Sequence, residues 1–208
     1  QDKEALPLLE QAVRETPNDA EAWQRLCALT LKYGTRERAL GYLELAQRLG
    51  FLDGETDRLR LVTLTAQLGA PFEAASLMQA WLQRAQLPSN TANQQLLASL
   101  WLKAREKKLA LMAMDVALAS APTAALYQTQ AQLLLERENY SGAAEAMERA
   151  LALGAKDGKL LLSLAMARYQ QADVDEALRV FRLAAQDKAS RKTAEEWVKY
   201  LENNLARD

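Results

Sequence analysis

The chain has 208 residues, of which 50% are apolar and 25% are charged, and its formal net charge is −1. This apolar content is ordinary for a folded protein and argues against intrinsic disorder. A chain so close to neutrality has no overall field to attract nucleic acid or an anionic membrane, so neither is expected as a partner.

Residues that commonly carry catalysis or bind metals are scarce. The sequence contains no histidine, the commonest general base and transition-metal ligand. Cys27 is the only cysteine, so neither an intrachain disulfide nor a thiolate zinc site can form. Glycine-rich phosphate loops, HExxH patterns and serine-centred elbows are also missing. We therefore expect no catalytic residue, no cofactor and no metal, and a protein that is not an enzyme.

Apolar residues recur at helical intervals along the whole chain. The pattern predicts twelve helices, near 2–16, 20–33, 36–50, 55–68, 71–86, 91–104, 107–120, 123–137, 141–153, 157–171, 174–187 and 191–205. The apolar runs are short: the one that begins at Leu109 stops at Asp115, so no membrane-spanning helix is predicted.

Turn and capping residues agree with these predicted boundaries. Gly34 and Gly69 follow predicted helix ends, and Pro71 stands at a first helical position. Asp173 with Glu176 three residues later predicts an N-cap and its capping-box partner.

One phrase recurs six times: an alanine, a bulky apolar residue four positions later, and a third residue, usually small, three positions after that. Its first alanines are spaced by 34, 35, 36, 33 and 34 residues and are Ala5, Ala39, Ala74, Ala110, Ala143 and Ala177. Positions i, i+4 and i+7 share one helix face. We therefore expect the alanines to allow close helix contacts while the bulky residue fills the groove between helices.

This period and phrase are those of the tetratricopeptide repeat (TPR), which closes on A-x3-F and then proline. Pro17 and Pro122 fall at the closing place. We predict an all-α fold: a right-handed superhelical solenoid of TPR-type antiparallel helix pairs with a C-terminal capping helix. The predicted layout is one domain, 1–208, with a partial repeat at 1–19, repeats near 20–54, 55–90, 91–123, 124–157 and 158–190, and a capping helix at 191–208.

The first helix of each TPR unit is expected to line the concave surface, where a protein or peptide partner would bind. The inward positions predict a binding surface of Gln24, Leu31, Leu59, Thr63, Gln95, Ser99, Leu102, Gln128, Gln132, Leu162, Met166 and Tyr169. These amides, hydroxyls and apolar groups suit a helix or an extended segment. They lack the Lys and Asn clamp of chaperone-adaptor repeats. The alternative is that they simply face water.

Two further features each have two interpretations, and the single cysteine has one. Trp81 replaces a small repeat residue, either as an interface anchor or through local repacking, and we favour repacking. The second feature is a basic cluster of Lys103, Arg105, Lys107 and Lys108. It either binds an acidic partner or lies at a helix C-terminus and turn, where cations complement the helix dipole, and we favour the second interpretation. Cys27 lies at a small, buried position of the repeat, and we expect it to be a packing residue.

Three segments carry more than the generic repeat: DAEAWQRLCALTLKYGTRERAL (19–40), LAQRLGFLDGETDRLRLVTLTAQLGAPFEAA (45–75) and AEEWVKYL (194–201). They resemble a periplasmic TPR protein that accompanies TonB–ExbB–ExbD energy-transduction systems of Gram-negative bacteria. From about Pro88 to Gly154 only the repeat pattern matches.

This resemblance implies a periplasmic adaptor in TonB-dependent uptake of iron–siderophore complexes or haem, with TonB, ExbB or ExbD as partners. It also implies a signal sequence and further repeats ahead of Gln1. The residues leave open a scaffold of another envelope assembly, such as exopolysaccharide or cellulose export or pilus assembly. An enzyme, or an accessory domain that completes one, is the third and least favoured hypothesis. The oligomeric state is not predicted.

Overall fold

The computed structural model describes residues 4–52 and 54–205. These residues form helices and turns and contain no strand. Twelve helices follow one another: α1 (Ala5–Glu15), α2 (Ala20–Tyr33), α3 (Arg36–Arg48), α4 (Glu55–Gln67), α5 (Pro71–Gln83), α6 (Thr91–Lys103), α7 (Lys107–Ser120), α8 (Ala124–Leu135), α9 (Tyr140–Ala152), α10 (Gly158–Gln170), α11 (Val174–Ala184) and α12 (Arg191–Leu205).

All twelve predicted helices are confirmed, and their ends lie within a few residues of the predicted ones. The clearest differences are at C-termini. The helices predicted to end at residues 86 and 187 end at Gln83 and Ala184. The predicted start of the first helix, at residue 2, lies outside the described residues.

The chain divides into two compact units, Gln1–Ala113 and Met114–Asp208, and the division falls within α7. In the first unit, α1 to α5 each pack against the next helix in sequence. In the second unit, α8 to α11 do the same. The fold is therefore all-α and built from neighbouring helix pairs, as predicted. The prediction of a single domain with the repeat boundaries given above stays a prediction.

The recurring alanines lie in the cores of both units. Ala39, Ala74, Ala110, Ala143 and Ala177 are each 0–1% exposed. The bulky residues that follow them are equally buried: Leu43, Met78, Met114, Met147 and Phe181. Because a methyl side chain lets two helix backbones approach closely, the alanines set the helix spacing and the bulky residues fill the space that remains. Ala5, in α1, is only half-buried.

The helix ends that Gly34 and Gly69 mark are confirmed, and the two glycines are required for different reasons. Gly69 follows α4 with φ +95°, in the left-handed region that favours glycine. Gly34 has an ordinary φ of −90°. A Cβ atom there would lie 2.7 Å from Thr30 Cγ2, so close approach is what requires glycine. Pro71 occupies the first turn of α5, as predicted.

The predicted capping box at α11 is half formed. Asp173 Oδ1 accepts a hydrogen bond from the Glu176 backbone N–H at 3.3 Å, which confirms the N-cap. Glu176 was expected to reach back to the Asp173 N–H, and this is wrong. That N–H donates to the Arg168 carbonyl, and the Glu176 carboxylate binds Arg179 instead. The preceding turn has already satisfied the donor that the box would use.

Trp81 and Cys27 are packing residues, as favoured above. Trp81 is 4% exposed and the Arg58 guanidinium lies 6.0 Å from its ring centroid, so the interface-anchor interpretation is wrong. Cys27 is also 4% exposed. Burial raises the pKa of its thiol to about 12, with a smaller contribution from the negative charge of Asp57.

The basic cluster lies at the α6–α7 turn, and the favoured interpretation holds for half of it. Lys103 ends α6, where a cation complements the helix dipole, and Arg105 lies in the turn with φ +62°. Lys107 and Lys108 instead begin α7. The turn between α6 and α7 is short, so Lys107 and Lys108 lie on the next helix and not in the turn.

Candidate protein-binding groove

The predicted binding surface lies on the first helices of the pairs, and none of its residues is buried. Its twelve members are on α2, α4, α6, α8 and α10. Gln24, Thr63 and Gln132 are exposed, and the others are half-buried. Burial therefore agrees with a surface role for all of them.

Three of these residues meet in one surface groove of the first unit, between α2 and α4. Leu31, Leu59 and Thr63 line a cavity of about 400 Å³, together with Thr56, Arg60, Leu64 and Gln67. We call this the α2–α4 groove. It unites side chains that are separated by up to 36 positions in the sequence, from Leu31 to Gln67.

Helical periodicity on α4 builds most of the α2–α4 groove. Thr56, Arg60, Thr63 and Gln67 are spaced by four, three and four residues, so they line one face of α4. Leu64 lies beside them and is 6% exposed, which makes it an apolar floor. The hydroxyls and the amide can donate and accept hydrogen bonds above that floor.

The groove carries little net charge. Among its seven lining residues only Arg60 is ionised, and its Nη1 lies 2.9 Å from Asp57 Oδ1, one turn earlier on α4. Both side chains are partly exposed, so the pair organises the groove wall and contributes little to stability. An apolar floor with neutral hydrogen-bonding walls is suited to binding a segment with a bulky apolar side chain.

The remaining predicted residues of the first unit do not line this groove. Gln24 is exposed on α2, and Gln95 and Leu102 are half-buried on α6. The Ser99 hydroxyl donates to the Leu96 carbonyl at 2.7 Å, so its hydrogen-bonding capacity is already used in part within α6.

In the second unit, the three predicted residues of α10 pack against the core, and Tyr169 joins an aromatic cluster. Leu162, Met166 and Tyr169 pack against the core with one side still accessible. The Tyr169 ring lies 5.5 Å from that of Trp197, and the Tyr200 ring lies 5.6 Å from that of Trp197. A hydrogen bond with Tyr200 raises the pKa of the Tyr169 phenol. The cluster ties α12 to α10, which is the role expected of the predicted capping helix.

Comparisons with known proteins place the fold. No protein-family model matches the sequence, and no curated protein matches it. Solved structures do match. YrrB aligns with TM-score 0.63 and 16% identity over 92% of this chain and 97% of that one. MamA aligns with TM-score 0.61 and 16% identity over 84% and 94% of the two chains.

A third match is to a longer chain. A chain in the structure of Naa15/Naa10 bound to HypK-THB aligns with TM-score 0.72 and 17% identity, over 100% of this chain but 32% of that one. YrrB is described as a TPR protein. The fold is that of a TPR helical solenoid. At these identities the likeness extends to the fold alone.

Sequence reasoning missed part of the TPR surface. Arg60, Leu64 and Gln67 line the α2–α4 groove but were not predicted, although their spacing from Thr56 and Thr63 places them on or beside the same face of α4. Tyr200 is 49% exposed. It follows Met166 by 34 residues, so the repeat period would have placed it with the predicted set.

Other classes of site were sought in the described part of the chain. No group of three or more His, Cys, Asp or Glu side chains there is arranged to hold a metal ion. None of its helices combines the length and the apolar character that crossing a membrane requires. The expectations of no cofactor and no enzymatic activity stay predictions.

Proposed function

We propose that this protein is a TPR scaffold that holds a segment of a partner protein in the α2–α4 groove. The observation that carries the proposal is the convergence of Leu31, Leu59 and Thr63 on one apolar-floored cavity. Cavities of roughly 300–1,000 Å³ with a few polar groups are typical binding sites, and this one has about 400 Å³. YrrB, which shares the fold, is described as having an unusual peptide-binding site.

The chemistry of the groove indicates the kind of segment that it accepts. Leu31, Leu59 and Leu64 offer apolar contact to one bulky side chain. Thr56, Thr63 and Gln67 can bond the polar backbone on either side of it. Because Arg60 is already paired with Asp57, recognition depends on shape and apolar contact rather than on charge.

We further propose that the partner belongs to a periplasmic TonB–ExbB–ExbD system that takes up iron–siderophore complexes or haem. The support is the resemblance of segments 19–40 and 45–75 to the TPR protein of those systems. Both walls of the α2–α4 groove fall inside these segments, since Leu31 lies in the first and residues 56–67 lie in the second. The segments that carry the resemblance therefore also form the candidate site.

Site-specific photo-crosslinking in the cell envelope tests both the α2–α4 groove as the binding site and the TonB system as the source of the partner. A photoreactive amino acid at Thr63, exposed in the groove, is expected to give an adduct with TonB, ExbB or ExbD. The same amino acid at Gln83, exposed at the end of α5, is the matched control and should give none. Adding Leu59→Asp should reduce the Thr63 adduct by about tenfold, because a carboxylate would be buried under the ligand.

The outcomes distinguish the proposed binding groove from the proposed TonB-system partner. Adducts with export or pilus subunits at Thr63, removed by Leu59→Asp, would support the scaffold and replace the TonB partner. Equal adducts at Thr63 and Gln83, or no adduct at Thr63, would contradict the groove as the binding site.

A further inference from the structure

Arg60 gives the wall of the α2–α4 groove a flat, positively charged surface. Its Nη1 donates a hydrogen bond to Asp57 Oδ1 at 2.9 Å, and its side chain is still 49% exposed. The N–H groups of a guanidinium lie in its plane, so a hydrogen-bonded partner occupies an edge and leaves both faces uncovered. Asp57 therefore restrains the guanidinium without covering the faces that a ligand could contact.

A second arginine of α4 shows how this chain uses such a face. Arg58 Nη1 donates to the Gln86 carbonyl at 2.9 Å, and the guanidinium carbon lies 6.0 Å from the centroid of the Trp81 ring. This arginine is held at an edge and packs against an aromatic ring. Residues two positions apart on an α-helix point about 200° apart. Arg58 therefore faces α5, whereas Arg60 lines the α2–α4 groove.

The α2–α4 groove supplies no aromatic ring for Arg60. Its other lining residues are leucines, threonines and a glutamine. Among the described residues of this chain, no aromatic ring lies over the Arg60 guanidinium as Trp81 does with Arg58. A ring that stacks on Arg60 must therefore come from the bound segment.

An aromatic side chain uses this groove more completely than an aliphatic one. Both bury apolar surface against Leu31, Leu59 and Leu64. An aliphatic side chain that also covers Arg60 removes water from the guanidinium and provides no attraction in return. An aromatic ring replaces that water with its electron-rich face, and the attraction strengthens as water is excluded. The guanidinium is also weakly hydrated, which lowers the cost of covering it.

We propose that the α2–α4 groove recognises one aromatic side chain of its partner, whose ring packs on the three leucines and stacks on the face of Arg60. This inference rests on the proposed function of the groove and adds the class of side chain that it binds. The bound segment needs no charge of its own, because the attraction is between the guanidinium and the ring.

Two neutral probes of nearly the same shape isolate the contribution of the aromatic ring. They are N-acetyl-phenylalanine amide and N-acetyl-cyclohexylalanine amide, which differ only in the saturation of the ring. Backbone amide shifts at residues 56–67, followed by nitrogen–proton correlation NMR of the 208-residue protein, give a Kd for each probe. The quantity of interest is the ratio of the two Kd values, cyclohexylalanine probe over phenylalanine probe, because apolar burial and the common backbone largely cancel in it.

Arg60→Met removes the guanidinium but keeps a long side chain. The Kd ratio should fall about two- to fivefold in this variant, the effect expected from losing a cation–π contact at a partly exposed site. Arg25→Met is the matched control. Arg25 is also paired one turn earlier on its own helix, with Glu21, but does not line the α2–α4 groove. This control should leave the ratio unchanged.

The outcomes distinguish failure of the stacking contact from failure of the groove. An unchanged ratio in Arg60→Met, with saturable shifts at residues 56–67 for both probes, would overturn the stacking inference and leave the groove as a binding site. An equal fall in Arg25→Met would overturn it as well, because the effect would then not depend on the groove. If neither probe gives saturable shifts at these residues, the proposed function fails together with the inference.

Discussion

Ser190 lies directly over Gly158 in the second unit. A Cβ atom added at Gly158 would lie 2.2 Å from Ser190 Oγ and 2.6 Å from Asp187 Oδ1. Ser190 is 1% exposed, and its hydroxyl donates to the Ala184 carbonyl at 2.6 Å, so it has little room to move. The start of α10 is therefore held against the turn between α11 and α12.

Gly158→Ala should destabilise the protein, although alanine is the better helix former. Overpacking of this kind costs about 1–3 kcal/mol, more than the ~1 kcal/mol that alanine gains over glycine within a helix. Gly41→Ala is the control, since a Cβ there meets no heavy atom within 4 Å. It should be neutral or stabilising. Urea unfolding followed by circular dichroism measures both, and equal effects would contradict the close contact at Gly158.

Enlarging a recurring alanine should disturb the helix spacing. Ala143→Leu, at a position that is 0% exposed in α9, should lower the free energy of unfolding by about 1–3 kcal/mol. Ala152→Leu makes the same change at the exposed end of that helix and should alter it by less than about 0.5 kcal/mol. Denaturant unfolding of the two variants distinguishes them. A tolerated leucine at position 143 would show that the alanines do not set the packing distance.

The Cys27 thiol should resist alkylation in the native protein. Burial raises its pKa from 9.0 to about 12, so almost no thiolate is present at pH 8. A colourimetric thiol reagent should react only after unfolding in guanidinium chloride. Rapid reaction of the native protein would mean that the packing around α2 opens easily and exposes the Cys27 thiol.

The same pKa shift makes part of the stability pH-dependent. Because the folded pKa is raised, the stability linked to the neutral thiol is complete below about pH 9 and is lost as the pH rises from there toward 12. The difference in unfolding free energy between the wild-type protein and Cys27→Ala should therefore narrow above pH 9. A difference that stays constant to pH 11 would contradict the raised pKa.

Asp173 and Glu176 should contribute to stability through different interactions. Asp173→Ala removes the N-cap of α11 and should cost about 1 kcal/mol. Glu176→Gln breaks an exposed ion pair with Arg179 and should cost a few tenths of a kcal/mol. A double-mutant cycle should give almost no coupling between positions 173 and 176, whereas a reciprocal capping box would give a clear coupling energy.

The ionisation of Glu176 gives this prediction a pH dependence. Its hydrogen bonds with Arg179 lower the pKa of the carboxyl group below the ordinary value of 4.5. The stability from the pair is therefore present above that pH and is lost as the pH falls through the lowered pKa. Glu176→Gln should show no such loss in acid unfolding experiments.

Most of the fold could be predicted from local patterns. The spacing of apolar residues placed twelve helices, and the alanines at intervals of 33 to 36 residues indicated that the helices repeat as pairs. These features depend on residues three, four and seven positions apart, which any single helix brings together. The N-cap at α11 was also predicted correctly, since Asp173 caps this helix. The reciprocal bond from Glu176 was not, because the Asp173 backbone N–H already donates to the Arg168 carbonyl.

The candidate site was predicted less completely, because it depends on which helices are neighbours. Leu31 and Leu59 were expected on the surface, but only the packing of the first unit brings both to the cavity that Gln67 also lines. Trp81 could be an anchor or a core residue until its neighbours were known, and it is buried. Leu8 and Tyr42 have the same place in the repeat, yet only Tyr42 contacts an aromatic partner on the preceding helix.

The sequence by itself determined the helices, their period and the residues with which they pack, because these follow from the geometry of one helix and the size of each side chain. Only the tertiary structure decided which surfaces remain open, because exposure depends on the neighbours that each helix finds. The α2–α4 groove is such a surface, because Leu31 comes from α2 and its other lining residues come from α4.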